Sequence, residues 1–126
     1  MTRMKLSWLA SVLSSAMLTA ACVPERDYRP HVTGGEAERG RAALKKYDCG
    51  ACHVIPGVRG AESYVGPPLD AYSRHSYIAG KWPNEPERLV AWILDPPAMA
   101  PRTAMPKVAM SERDARDMAA YLYELD

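Results

Sequence analysis

Two cysteines with two residues between them, followed at once by a histidine, constrain this chain more than any other feature: Cys49-Gly50-Ala51-Cys52-His53. This spacing is the signature of covalent haem attachment, because the two thiols can reach two neighbouring vinyl groups on one edge of a porphyrin. His53 is then carried over the face of the ring, where an imidazole nitrogen can bind the iron. A chain that holds a porphyrin in this way has to fold around a large apolar plate.

Three other interpretations of the motif remain open. A thioredoxin-like dithiol requires a βαβ context, which the surrounding pattern lacks. A zinc site requires a further pair of ligands, and His31 and His75 do not form one at a suitable spacing. A structural disulfide between Cys49 and Cys52 is the third alternative. An export signal, a helical pattern throughout and a motif at the end of the first helix favour haem.

Small and apolar residues recur at helical spacing in three segments, 36–47, 86–95 and 112–125. The second segment begins with a proline and is followed by Pro96-Pro97, while Ser111 is a suitable N-cap for the third. The predicted buried face of the first helix is formed by Ala37, Gly40, Ala43, Leu44 and Tyr47, and that of the last helix by Ala115, Met118, Ala119, Leu122 and Leu125.

A short fourth helix is predicted over 69–76, and no segment alternates for long enough to indicate a strand. Long loops rich in glycine and proline cover 54–68 and 95–110, and loops of that length in a small domain usually have a function or wrap a ligand. We therefore predict an all-α fold of three main helices and one short helix, wrapped around a covalently bound haem.

The N-terminus has the pattern of an exported protein. Arg3 and Lys5 precede an apolar stretch over 6–18, and small residues follow it, so residues 1–21 are predicted to be a signal peptide. Residues 22–35, rich in proline, glycine and charge, are predicted to be a flexible tether, and residues 36–126 the folded domain. Removing 1–21 leaves 14 of the 16 basic side chains against 15 acidic ones, without any basic run, so no nucleic-acid partner is expected.

Cys22 directly follows the small residues Thr19, Ala20 and Ala21, as in the processing site of a bacterial lipoprotein. The favoured interpretation is that Cys22 is acylated and anchors an exported, periplasmic protein to a membrane. The alternative is ordinary cleavage near Ala21, which leaves a free thiol in an oxidising compartment.

A haem iron held by one histidine needs a second axial ligand or keeps an open position. Met105 is the preferred second ligand, because Pro106 stiffens the loop behind it and an unbranched thioether reaches inward. Met99, Met110 and His75 are its rivals.

The chain resembles the class I, monohaem c-type cytochromes from about residue 36 to residue 126. The resemblance rests on an ordered set of motifs: Gly40 and Leu44, then Cys49-Gly50-Ala51-Cys52-His53, Gly66-Pro67-Pro68-Leu69, Thr103-Ala104-Met105-Pro106, and Ala119-Ala120-Tyr121-Leu122.

This resemblance implies a cytochrome c-like fold with a role for several residues. Gly40 would let the first and last helices cross closely, against Tyr121 or Leu122. Pro67 would offer its carbonyl to the distal ring N–H of His53 and so orient the ligand. Three aromatic residues could hydrogen-bond a haem propionate, or could simply pack in the core: Tyr72, Tyr77 and Trp82.

The expected function is one-electron transfer by a single haem c with His53 and Met105 as axial ligands, in a periplasmic respiratory chain. The alternative is a haem c subunit of a periplasmic dehydrogenase or terminal oxidase complex, and a less favoured one is an enzyme or gas sensor that frees its Met105 site. The expected partners are redox proteins, which would dock on a mainly apolar patch, because the exported chain keeps only four lysines: Lys45, Lys46, Lys81 and Lys107.

Overall fold

The computed structural model describes residues 29–126, so the predicted signal peptide over 1–21 and the predicted lipid site Cys22 lie outside the described residues. In the described range the regular structure is mostly helical, and no helix there is long and apolar enough to cross a membrane. The elements in chain order are α1 (Ala37–Lys46), β1 (Tyr77–Ile78), β2 (Trp82–Pro83), α2 (Pro86–Leu94), α3 (Pro96–Met99) and α4 (Glu112–Leu122), with 3-10 turns at Cys49–Ala51 and Tyr72–Arg74.

Helices α1 and α4 begin where a side chain binds free backbone N–H groups. The Glu36 carboxylate accepts the N–H groups of Glu38 and Arg39 at the start of α1. Ser111 caps α4 as predicted, since its hydroxyl accepts the Asp114 N–H at 3.0 Å. Such caps stabilise a helix by about 1 kcal/mol each.

Helices α1 and α4 cross at the glycine that the sequence marks for close approach. A Cβ atom placed on Gly40 would lie 1.9 Å from the carbonyl oxygen of Asp117, so only glycine allows this separation. The predicted close crossing is confirmed, but the nearest atoms belong to Asp117 and Met118 rather than to the predicted Tyr121 or Leu122. The contact lies one turn earlier on α4, where the side chain of Asp117 is itself bonded to the start of α1.

Asp117 is a buried carboxylate at this crossing, only 2% exposed. Arg39 donates two hydrogen bonds of 2.8 Å to its two oxygens, and the Glu36 backbone N–H donates a third of 2.8 Å. The arginine holds the pKa of Asp117 below its ordinary value. The charge is therefore compensated where the helices meet.

The core is formed by the predicted faces of α1 and α4, by α2 and by loop residues that fold beneath them. On α1 and α4 the fully buried apolar residues are all from the predicted set, apart from Tyr121 on α4. The largest contributions from elsewhere are Ile55, Val58, Tyr72, Ile78, Leu89, Val90, Ile93 and Tyr123.

Three local elements differ from the expectation. The predicted helix over 69–76 is a single 3-10 turn, Tyr72–Arg74, and a hairpin that was not predicted follows it. Its tip, Ala79 and Gly80, has positive φ at both positions, as in the tight turns that match strand twist. The predicted loop over 95–110 also starts with the short helix α3, begun by Pro96-Pro97.

The described part of the predicted tether, residues 29–35, packs on the domain. Val32 is 2% exposed, and the Thr33 carbonyl accepts a hydrogen bond from Arg116 at 3.3 Å. Arg29 pairs with Glu124 and Asp126 at the other end of the chain. A flexible tether is therefore wrong for this stretch, because its apolar and charged groups find partners on α4 and beyond it.

Candidate functional site

The two motif cysteines and the histidine lie on one tight turn directly after α1. Asp48 takes the left-handed conformation, with φ 55°, and turns the chain into the 3-10 segment. The N–H groups of Cys52 and His53 both donate to the Cys49 carbonyl, at 3.2 and 3.1 Å. The local fold therefore places two thiols and one imidazole, the groups that could hold a haem, within five residues.

Both cysteines are half-buried free thiols in the structure, and no disulfide joins them, in contrast to the third alternative. Burial raises the pKa of the Cys49 thiol. Among residues 29–126 no group of three or more His, Cys, Asp or Glu side chains could hold a metal ion, which argues against the zinc alternative.

The His53 ring is oriented by the loop that follows it. Its Nδ1 lies 2.7 Å from the Pro67 carbonyl oxygen, the hydrogen bond that the resemblance implies. Because a carbonyl only accepts, Nδ1 carries a proton, and in the neutral imidazole Nε2 keeps its lone pair. The hydrogen bond therefore fixes both the tautomer and the direction of the ring.

Gly66 brings the backbone close to the imidazole. A Cβ atom on Gly66 would lie 2.6 Å from His53 Cε1, and the Gly66 N–H donates to the Cys52 carbonyl at 2.6 Å. Gly66 and Pro67, at the far end of the loop that follows the motif, thus both contact it and restrict the position of the His53 ring.

This loop is itself anchored in the protein. The Leu69 N–H donates to the Val54 carbonyl at 2.9 Å and closes its base. Ile55 and Val58 point into the core, and the Tyr121 hydroxyl of α4 donates to the Pro56 carbonyl at 2.7 Å. The position of the Pro67 carbonyl is therefore tied to the helix crossing.

Met105 lies at a bend in the irregular segment between α3 and α4 and is half-buried. Its N–H is 3.2 Å from the Thr103 hydroxyl oxygen. Of the rivals, Met99 ends α3 and Met110 packs against the core. The His75 ring lies 4.9 Å from the Tyr72 ring, which gives it an aromatic partner.

The aromatic candidates occupy different surroundings. Trp82 packs on Trp92 of α2 with ring centres 5.9 Å apart, and the Lys81 ammonium lies 5.0 Å from the Trp82 ring. Tyr77 is 60% exposed, whereas Tyr72 is buried, and burial raises the pKa of its hydroxyl. Their roles towards a haem propionate stay predictions.

The donor set fits a porphyrin with a bound iron. Two free thiols and an imidazole with an unprotonated Nε2 are the groups that a covalent haem requires from one side. Tyr64 and Val65, which precede Gly66, are 77% and 80% exposed and place apolar surface in the same loop.

Comparisons with known proteins show the family to which the chain belongs. The family model for cytochrome c matches residues 37–126. The chain is 34% identical over 90 residues to the cytochrome c oxidase subunit 2 of Alkalihalophilus pseudofirmus, a match that covers 71% of this chain and only 25% of that protein. The crystal structure of cytochrome c2 from Rhodobacter sphaeroides has the same fold, with a TM-score of 0.50 and 22% identity over 72% of this chain and 96% of that one. The chain belongs to the cytochrome c family and is a class I c-type cytochrome.

Proposed function

We propose that this haem-based electron-transfer protein carries one electron at a time on a single haem c. Cys49 and Cys52 are the covalent attachment points, and His53 and Met105 are the axial ligands. When bound, the haem supplies the reversible Fe(III)/Fe(II) couple. The observation that carries the proposal is the 2.7 Å hydrogen bond from His53 Nδ1 to the Pro67 carbonyl, which leaves Nε2 available on the turn that bears both thiols.

Met105 is proposed as the second ligand because its side chain is half-buried and Pro106 stiffens the loop directly after it. A neutral thioether favours Fe(II) over Fe(III), so this ligand raises the reduction potential. With both axial positions filled, the iron has no open site for a small molecule. This supports a carrier rather than an enzyme.

The ligand assignment is tested with Met105→Ala, with Met99→Ala and Met110→Ala as matched controls. We expect Met105→Ala to abolish the sulfur-to-iron charge-transfer band of the ferric protein, to lower the potential and to let the reduced protein bind CO. The two control variants should keep the band and the potential. Loss of the band in a control variant but not in Met105→Ala would show that the assignment is wrong.

We also propose that the protein is exported and anchored in the periplasm through an acylated Cys22. The support is the signal-like pattern over 1–21 and the small residues before Cys22. Acyl chains bind a membrane through buried methylene groups, at about 0.8 kcal/mol each. Cys22→Ser should move the haem-stained protein from the membrane to the soluble fraction, and a mature protein that starts at an unmodified Cys22 would contradict the anchor.

A second candidate function is that of a haem c subunit within a respiratory complex. The observation that favours it is the similarity to one quarter of a cytochrome c oxidase subunit 2, a protein whose name places it in an oxidase. Native electrophoresis of gently solubilised membranes separates the two functions. A free carrier should migrate at the size of this chain, and a subunit should migrate with a larger, haem-stained complex.

A further inference from the structure

We infer that the ion pair between Asp95 and Lys107 is a latch that holds the Met105 segment in place. This inference rests on the proposed role of Met105 as an axial ligand. Asp95 and Lys107 are positioning residues, since neither is proposed to bind the iron.

The Asp95 carboxylate is fixed where two helices meet. Asp95 ends α2 and begins α3, and its Oδ1 accepts the Ala98 N–H at 3.2 Å. Its Oδ2 lies 2.5 Å from the Lys107 Nζ. The lysine therefore binds to an acceptor whose direction is already set by the start of α3.

The pair closes the stretch of chain that carries Met105, since residues 96–106 lie between its two members and Met105 is two residues before Lys107. Across the described residues, the hydrogen bonds that residues 100–110 make otherwise span four residues or fewer. An example is the bond from the Thr103 N–H to the Ala100 carbonyl, at 2.9 Å. Apart from the bond from the Ala100 N–H to the Pro96 carbonyl at the end of α3, the ion pair is thus the polar contact that joins this described segment to the helices.

A restraint of this kind acts on the competition for the axial position. A small ligand in solution displaces a methionine only when the methionine segment moves away from the iron. Each interaction that the segment makes only in its closed position lowers the apparent affinity of the competitor. Because Lys107 is 62% exposed and Asp95 33% exposed, the pair is a surface ion pair, and we expect an effect of roughly threefold.

The test is a titration of the ferric, haem-loaded protein with imidazole. Binding is monitored through the loss of the sulfur-to-iron charge-transfer band. Asp95→Asn keeps an oxygen for the Ala98 N–H but removes the charge, and Lys107→Gln removes the other charge. Each variant should retain the band without imidazole and bind imidazole roughly threefold more tightly than the parent protein at low salt. The double variant should bind no more tightly than either single variant, and added salt should abolish the difference.

Glu85→Gln is the matched control, because it breaks an ion pair of similar exposure with Arg88 at the start of α2, 2.9 Å long. Imidazole affinity should be unchanged in this variant. The latch would be overturned if Asp95→Asn and Lys107→Gln both bound imidazole with the affinity of the parent protein, or if their effects on that affinity added in the double variant. Either result would leave Met105 as the ligand, provided that Met105→Ala still abolishes the band. A band that survives in Met105→Ala would instead overturn the ligand assignment, and the latch with it.

Discussion

At the scale of single residues, His53 and Asp117 show what a sequence pattern can and cannot reveal. His53 could be predicted because its motif is local and complete within five residues, and the resemblance supplied Pro67 as its partner. Asp117 could not, because an aspartate within a helix is usually exposed, and its partner Arg39 lies 78 positions away in the chain. Its burial follows only from the close crossing at Gly40.

Removing the guanidinium at this crossing should destabilise the protein. Arg39→Ala removes the two hydrogen bonds that Arg39 donates to the buried Asp117 carboxylate and leaves the one from the Glu36 N–H. We expect a loss of about 2 kcal/mol in the free energy of unfolding, measured by denaturant titration of the haem-loaded protein. Arg41→Ala is the control, since the Arg41–Glu38 pair is exposed, and it should change stability by less than about 0.5 kcal/mol. Equal effects of the two substitutions would contradict the account of Asp117.

The same carboxylate should make stability depend on acid pH. The Arg39 guanidinium lowers the pKa of Asp117 in the folded protein below the ordinary value of 3.8. The stability that this charge contributes is therefore fully present above that value and is lost as the pH falls through the folded pKa. Unfolding curves between pH 6 and pH 2 should show a steeper acid-side loss in the parent protein than in Asp117→Asn. Identical slopes in the two proteins would contradict the assignment.

At the scale of elements, the long helices could be predicted and the short elements could not. Helices α1, α2 and α4 each have an apolar stripe, and α2 and α4 also have a start signal in Pro86 and Ser111, whereas the cap that Glu36 forms on α1 was not predicted. The hairpin has strands of two residues, too short for an alternating pattern, and its turn is Ala79-Gly80 rather than one of the common hairpin dipeptides. Helix α3 depends on Asp95 as its N-cap. This role could not be recognised in the sequence, because it requires α2 to end at the same residue.

The crossing of α1 and α4 should not tolerate a methyl group at its centre. Gly40→Ala places a Cβ atom where the Asp117 carbonyl oxygen lies, so the helices must separate. Although alanine is the better helix former, we expect a loss of about 3 kcal/mol in the free energy of unfolding. Ala42→Gly, on the exposed side of the same helix, should cost about 1 kcal/mol and measures helix propensity alone. A Gly40→Ala protein as stable as the parent would show that the helices are not in close contact.

At the scale of the whole molecule, a small domain combines one helix crossing with two long loops. Residues 54–68 and 100–111 contain few regular elements, and the loop residues buried in the core come from the first of the two. A chain of this size has little protein surface to bury, so an apolar cofactor between the loops would add substantially to the core. The N-terminal stretch 29–35 could not be assigned to the domain from sequence, because a single buried side chain, Val32, has no periodicity.

The chain without haem should therefore lack stable tertiary structure. In the Cys49→Ala/Cys52→Ala double variant, prepared without haem, the loss of the bound group removes stabilisation of the native state alone. We expect weak near-ultraviolet circular dichroism and no cooperative thermal transition, whereas the haem-loaded parent should show both. A sharp melting transition in the haem-free variant would mean that the protein core suffices by itself.

The central claim is that one haem is covalently bound at the Cys49–Cys52 turn, and the mass of the denatured protein tests it most directly. The protein should be purified from cells that attach c-type haem, unfolded in acid, extracted with acid-acetone and measured as an intact chain. We predict a mass equal to the polypeptide plus one haem, with the added mass mapped to the peptide that contains Cys49 and Cys52. A chain that loses its haem in the extraction, or that carries none, would contradict the account.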